Sequence, residues 1–159
     1  MADAMARMEI RADGPGHPQV ARLLDEHLHD MAQLSPPESI HALGHEALQQ
    51  PDISFWSVWQ GDALMGCGAL KRLDDTHGEI KSMRTASKFL RQGVAAFLLR
   101  HIIDEAQGRG FRRLSLETGA MTGFAPAHRL YERFGFARCA PFAGYREDPN
   151  SLFFSRDVP

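Results

Sequence analysis

Cysteine is scarce. The chain has two in 159 residues, Cys67 and Cys139, with no metal-type spacing between them, which excludes a cysteine-built zinc site. Free thiols in a reducing compartment are a simpler expectation than one disulfide. Long apolar runs are missing too: no window approaches about 18 apolar residues, the length that spans a bilayer. The opening MADAMARMEIRADG lacks the apolar stretch of a secretory leader and soon turns charged. A basic excess is also absent. Lys and Arg number 18 against 20 Asp and Glu, a net charge of -2 with a pI near 6.4, which argues against a nucleic-acid binder. An anionic ligand must then be met by a local patch. Neither G-x-x-x-x-G-K-S/T nor G-x-G-x-x-G occurs, so the familiar nucleotide loops are excluded. What remains is a cytoplasmic globular chain, with no nucleic-acid partner, no membrane partner and no metal.

Hydrophobic residues make up 43% of the sequence, enough for one core, and the length suits one domain. That domain is expected over 8–157, with 1–7 a flexible lead. MEIRADG (8–14) alternates apolar and polar and reads as a strand. HPQVARLLDEHLHDMAQL (17–34) has apolar residues at 20, 23, 24, 28 and 31, with Pro18 suited to a first helical turn. After Ser35-Pro36-Pro37, ESIHALGHEALQQ (38–50) predicts a second, shorter helix. ISFWSVWQ (53–60) and ALMGCGALKRL (63–73) form a hairpin about Gly61-Asp62, and GEIKSMRT (78–85) is a further strand. A helix follows over about 92–108, stopped by Gly108-Arg109-Gly110. RRLSLETG (112–119) is a strand, PAHRLYERFG (126–135) a short helix, and FARCAPF and SLFFSRD the last strands. Strand–helix–strand about the central helix requires a right-handed parallel crossover, whereas the hairpin is antiparallel. The fold class is therefore a mixed α/β (α+β) sheet with helices.

The turn Arg91-Gln92-Gly93, at the mouth of the long helix, is the first candidate site. A helix N-terminus carries backbone N–H groups with no internal partner and a partial positive charge. Phosphate is the usual guest of such a cradle. Gly93 lets it approach, Ala95 keeps the next turn slim, and Arg91 adds charge-assisted hydrogen bonds. Read alone, the same triplet is also an ordinary loop-to-helix junction.

Context gives it more meaning. GEIKSMRT, then RQGVAAFLL, then RRLSLETG, then PAHRLYERFGF resembles the GCN5-related N-acetyltransferase (GNAT) family, most recognisably in LYERFGF, residues 130–136. The order of elements is similar over about 8–157, and CGALK, GEIKSMRT, LSLETG and DPNSLFF look like a small bacterial subgroup of unassigned acceptor. The resemblance implies a centrally splayed sheet and acetyl-CoA as donor. It implies that Met83, Arg84 and Thr85 offer backbone groups to the pantetheine arm. The pyrophosphate then falls on Arg91, Gln92, Gly93, Val94, Ala95 and Ala96. Two positions depart from the family pattern: Leu90 stands where Arg or Gln is usual, and Phe124 where Asn is frequent.

Acetyl transfer needs a neutral amine, a stabilised oxyanion and a proton for the leaving thiolate. The resemblance places Tyr131 at the thioester sulfur as acid; read alone, Tyr131 packs its helix on the sheet. Glu79 is the candidate base, directly or through a water, and shares a strand face with Lys81 and Met83. Its bland alternative is a solvated carboxylate paired with Lys81. Glu117 and His77 are rivals. Arg84 is suited to an acceptor carboxylate, a phosphate or a neighbouring Glu. His41 and His45 are four apart but lack a third metal ligand, and His27 and His29 face different sides of their helix. Phe55, Trp56 and Trp59 fill core or line a pocket. Residues 30–45 and 145–151 should recognise the acceptor. The expected activity is N-acetylation of a primary amine on a small molecule or amino acid, by direct attack in a ternary complex. The alternatives are a non-catalytic acyl-CoA-binding module and a protein or peptide acetyltransferase. The resemblance is compatible with a homodimer.

Overall fold

The structure, a computed structural model, describes residues 7–41 and 43–159, so the expected flexible lead falls outside it save for Arg7. Seven strands form one sheet, β1 (Glu9–Arg11), β2 (Ile53–Gln60), β3 (Ala63–Arg72), β4 (His77–Thr85), β5 (Arg113–Gly119), β6 (Ala137–Arg138) and β7 (Ser151–Asp157). Their spatial order is β1-β2-β3-β4-β5-β7-β6. Only β4 and β5 pair in parallel; every other neighbour is antiparallel. Three helices cover it: α1 (Pro18–Leu34), α2 (Val94–Gly108) and α3 (Ala125–Arg133).

Each helix starts and stops for a local reason. In α1, His17 Nδ1 accepts from the Gln19 N–H at 3.1 Å, Pro18 opens the first turn, and Ser35 caps the end before Pro36-Pro37. Val20, Leu23 and Leu24 face inward. In α2, Val94, Leu98, Leu99, Ile102, Ile103 and Ala106 make the buried stripe. Its last turn closes through Phe111 N–H to Ala106 O at 3.0 Å, with Gly110 in the left-handed region. Gly135 does the same for α3, where Phe136 N–H reaches Tyr131 O at 3.0 Å.

The sheet has a core on each face. Leu98, Ile102, Leu114, Leu116 and Phe154 lie with α2 and α3, and Val20, Leu24, Phe55, Trp59 and Cys67 with α1. Strand alternation sends Phe55 and Trp59 to one core and Trp56 to the other, so all three aromatics are core.

The second predicted helix does not form. Among the described residues, 37–41 and 43–50 hold two short 3-10 turns, Pro37–Ser39 and Ala47–Gln49. Gly44 weakens a helix here, and tertiary contacts take over. Ser39 is buried with its hydroxyl donating to Asp148 Oδ2 at 2.6 Å, and Leu48 enters the α1 core. His41 and His45 therefore do not share a helix face.

Two irregularities shape the centre of the sheet. The β3–β4 register shifts between Cys67 and Ala69, so Ser82 and Met83 together face Gly68. Ser82 sits at φ 57°, a bulge that twists β4. β3 makes room with glycine: a Cβ on Gly66 would lie 2.8 Å from Arg84 O, and one on Gly68 2.5 Å from Met83 Sδ. The second irregularity is in the parallel ladder. It runs from His77–Arg113 to Ile80–Leu116 and stops, although β4 continues to Thr85 and β5 to Gly119. Beyond Ile80 the two strands part.

Candidate active site

The gap between β4 and β5 is a cavity of about 110 Å³ with walls from four elements. α1 contributes His27 and Met31, β4 the run Glu79 to Met83, β5 Glu117 and Thr118, and α3 Tyr131. It adjoins a wider groove of about 710 Å³ that also reaches Glu79, Lys81 and His41 and is walled by Glu38–Ser39 and Ala143–Asn150. The structure thus brings together the segments 30–45 and 145–151 expected on the acceptor side. Ser39, Asp148 and Asn150 tie them: Asn150 N–H donates to Asp148 Oδ1 at 2.8 Å, and Ser39 Oγ to Oδ2.

Tyr131 is buried, packed edge-on against Phe136 with ring centroids 5.9 Å apart. Burial, and then the charge of Glu117, push its phenol well above the ordinary value. The hydroxyl keeps its proton throughout the neutral range. Glu79 is buried, not solvated. Its Oε2 accepts from Lys81 Nζ at 3.1 Å and from the Tyr145 hydroxyl, while Lys81 Nζ also donates to the Tyr145 hydroxyl oxygen at 2.9 Å. The pairing with Lys81 is realised and the solvent exposure is not. Burial, and then Glu79, raise the Tyr145 phenol as well. Among the described residues Glu117 has one hydrogen-bond partner, the Ser151 hydroxyl at 2.8 Å, and burial raises its carboxyl. His77 is elsewhere, at the closed end of the ladder opposite Arg113, with Nε2 2.7 Å from Ser115 Oγ.

Of the residues expected on the donor side, Met83 lines the same gap. From Lys81 to Thr85, β4 pairs with β3 alone, so the β5-facing edge at Met83, Arg84 and Thr85 belongs to no ladder. The Arg84 side chain is engaged behind it, donating to Glu26 Oε1 at 2.8 Å and to Asp30 on α1. Of its three alternatives, the neighbouring carboxylate is the one formed. At the turn, Arg91 and Gly93 both adopt left-handed backbone, φ 64° and 82°, and no side chain caps α2. Successive N–H groups in such a conformation make an anion-binding concavity. Leu90 is exposed, and Phe124 packs its ring where a Cβ on Gly119 would lie, 2.2 Å away. Gly119→Ala is therefore expected to displace Phe124 and destabilise the fold by about 1–3 kcal/mol, read as a lower urea midpoint.

Sequence reasoning missed Tyr145 and misjudged His27. Tyr145 lies in an irregular loop with no periodicity to aim it. His27 reaches the cavity because α1 crosses the open end of the gap, a placement no spacing encodes. Among the described residues, no group of three or more His, Cys, Asp and Glu has metal-holding geometry, and no helix is long and apolar enough to cross a membrane.

A splayed β4–β5 pair, a bulge and an uncapped helix turn on one mixed sheet define an acetyltransferase fold of the GNAT type. The acetyltransferase (GNAT) family model matches residues 20–136, and the chain belongs to that family. It is 60% identical over 151 residues to the uncharacterized N-acetyltransferase YsnE of Bacillus subtilis (strain 168), covering 95% of this chain and 100% of that protein. It is 33% identical over 155 residues to the IAA acetyltransferase of Azospirillum brasilense, covering 97% of this chain and 100% of that protein. A candidate acyl-CoA N-acyltransferase structure from Klebsiella pneumoniae superposes with a TM-score of 0.80 at 23% identity, over 96% of this chain and 99% of that one.

Proposed function

We propose that this acetyltransferase uses acetyl-CoA to acetylate a primary amine of a small molecule, by direct attack in a ternary complex. The observation that carries this is the end of the parallel ladder at Ile80–Leu116, which opens a cavity holding a protonated phenol and two carboxylates. Family membership supports acetyl-CoA as donor, with the diphosphate on Arg91–Ala96 and the pantetheine arm along Met83–Thr85. The free Cys67 and Cys139 support a reducing, cytoplasmic setting.

In this proposal the amine nitrogen attacks the thioester carbonyl and the C–S bond breaks. Tyr131 gives its proton to the departing sulfur, and a carboxylate takes the proton the amine sheds. Glu79 was the expected base, yet its Oε2 is committed to a cation and a phenol. Glu117 suits the role better: it faces the same cavity, has one hydroxyl partner, and its raised pKa brings it nearer working pH. Glu79, Lys81 and Tyr145 then hold the acceptor side rigid. Release of free thiol from acetyl-CoA with a panel of amines tests the activity. Binding of CoA with no turnover on any amine would leave a CoA-binding module instead.

Glu117→Gln separates the carboxylates. The raised value means the folded chain holds this proton more tightly than the unfolded one. Its stabilising contribution is present at low pH and lost as pH rises through the folded value. The neutral amide still accepts from Ser151, so the variant is expected to raise the neutral-pH Tm by about 2–4 °C. It should also cut kcat/KM about 10²–10⁴-fold and remove the acidic limb of the pH profile. Glu79→Gln, which breaks a buried ion pair, should lower Tm instead. If it erased the acidic limb and Glu117→Gln did not, Glu79 would be the base.

A further inference from the structure

Buried side-chain polar atoms without a hydrogen-bond partner are few in folded chains, and each calls for an explanation. Among the described residues there are three, His27 Nδ1, Ser82 Oγ and Arg84 Nε. All three lie on α1 and β4, at the seam beside the bulge. His27 and Ser82 also line the cavity that holds Tyr131 and Glu117. Ser82 is 8% exposed and pays for a left-handed φ of 57° inside a strand, a strain typical of functional positions.

The charges around the seam restrict what can satisfy these atoms. Glu26, Asp30, Glu79 and Glu117 outnumber Arg84 and Lys81, and each cation is already bound to a carboxylate. The wider groove adds Glu38, Glu147 and Asp148 against Lys71 and Arg146. An ammonium is drawn in, whereas Lys81 and Arg84, the cations among the described residues at the cavity and its seam, are already held by carboxylates. Burial, and then Arg84, push His27 down to about 4, so the imidazole is uncharged at neutral pH and hydrogen-bonds as a neutral group.

We propose that the α1–β4 seam is an acceptor subsite in which His27 and the Ser82 hydroxyl bind an uncharged polar group carried next to the amine, an amide or a hydroxyl. This rests on the transferase reading and narrows it: the acceptor is a small amine with a neutral polar neighbour, such as an amino-acid amide or an amino alcohol, and not a free amino acid.

L-leucinamide, L-leucinol and L-leucine test this directly. Each is titrated into the CoA-loaded protein, and each is assayed with acetyl-CoA. The amide and the alcohol are expected to bind at least about tenfold tighter than the acid, with kcat/KM in the same order. Ser82→Ala and His27→Phe should remove most of that preference by raising KM for the amide, with the KM for acetyl-CoA little changed. His27→Gln, which keeps a neutral hydrogen-bonding side chain, should retain it and guards against misfolding of the Phe variant. Equal or tighter binding of L-leucine overturns the subsite. So does a preference that survives Ser82→Ala and His27→Phe in folded protein, since the seam would then hold only an internal water. If no amine turns over but the amide still binds best, the subsite stands and the transferase reading fails.

Discussion

Gly93→Asp is expected to abolish binding of CoA while the fold survives. Gly93 stands at φ 82° at the entrance of α2, a conformation Asp tolerates better than most residues. The backbone cost should therefore stay near 1 kcal/mol. The electrostatic cost is larger. A carboxylate would sit among the N–H groups proposed to meet a diphosphate. Two like charges about 4 Å apart repel by roughly 4 kcal/mol at an effective dielectric near 20, close to a thousandfold in affinity. Calorimetric titration with CoA measures the loss, and circular dichroism melting checks the fold. An affinity within a factor of three of the parent chain would remove the diphosphate from this turn.

Tyr131→Phe should lower kcat by about 10²–10⁴-fold with the dissociation constant of acetyl-CoA unchanged. The ring is buried against Phe136 and Phe154, so phenylalanine keeps the packing and leaves no cavity. Only the hydroxyl is lost. Its proton is held tightly because burial and Glu117 both oppose ionisation. Burial opposes the charge of an expelled thiolate just as it opposes that of the phenolate, so the sulfur is proposed to share the phenol proton as the C–S bond breaks. A burst of thiol release that persists at the parent rate in the variant would return Tyr131 to a packing role.

The elements most legible in the sequence were those defined over a few turns. The apolar stripe of α2, the Gly110 and Gly135 stops, the hairpin about Gly61 and the LYERFGF helix all follow from local spacing and backbone preference. The failure at 38–50 has the opposite cause. Its helical periodicity is real but short, and contacts such as the part-buried hydrogen bond from Ser39 to Asp148, more than a hundred residues away, outweigh it. Boundaries at the sheet edges shrank for a similar reason. FARCAPF keeps only Ala137 and Arg138 in the ladder, because the chain must leave the sheet to build the loop that carries Tyr145.

Tertiary structure alone decided which carboxylate is available. Glu79 and Glu117 both sit on strands and look alike in composition. Lys81, two residues from Glu79, is a partner the strand spacing offers, but Tyr145 on Glu79 and Ser151 on Glu117 come from distant segments. The two tyrosines of the chain come from distant segments to two adjoining cavities that share Glu79, Tyr131 lining the gap where β4 and β5 part and Tyr145 the wider groove. What the sequence by itself determined was the turn at Gly93 and the glycines opposite the bulge, since backbone conformation and close approach depend on the residue at that position. What only the folded chain decided was the depth and charge of the cavity, because burial and pairing are properties of neighbours brought from distant segments.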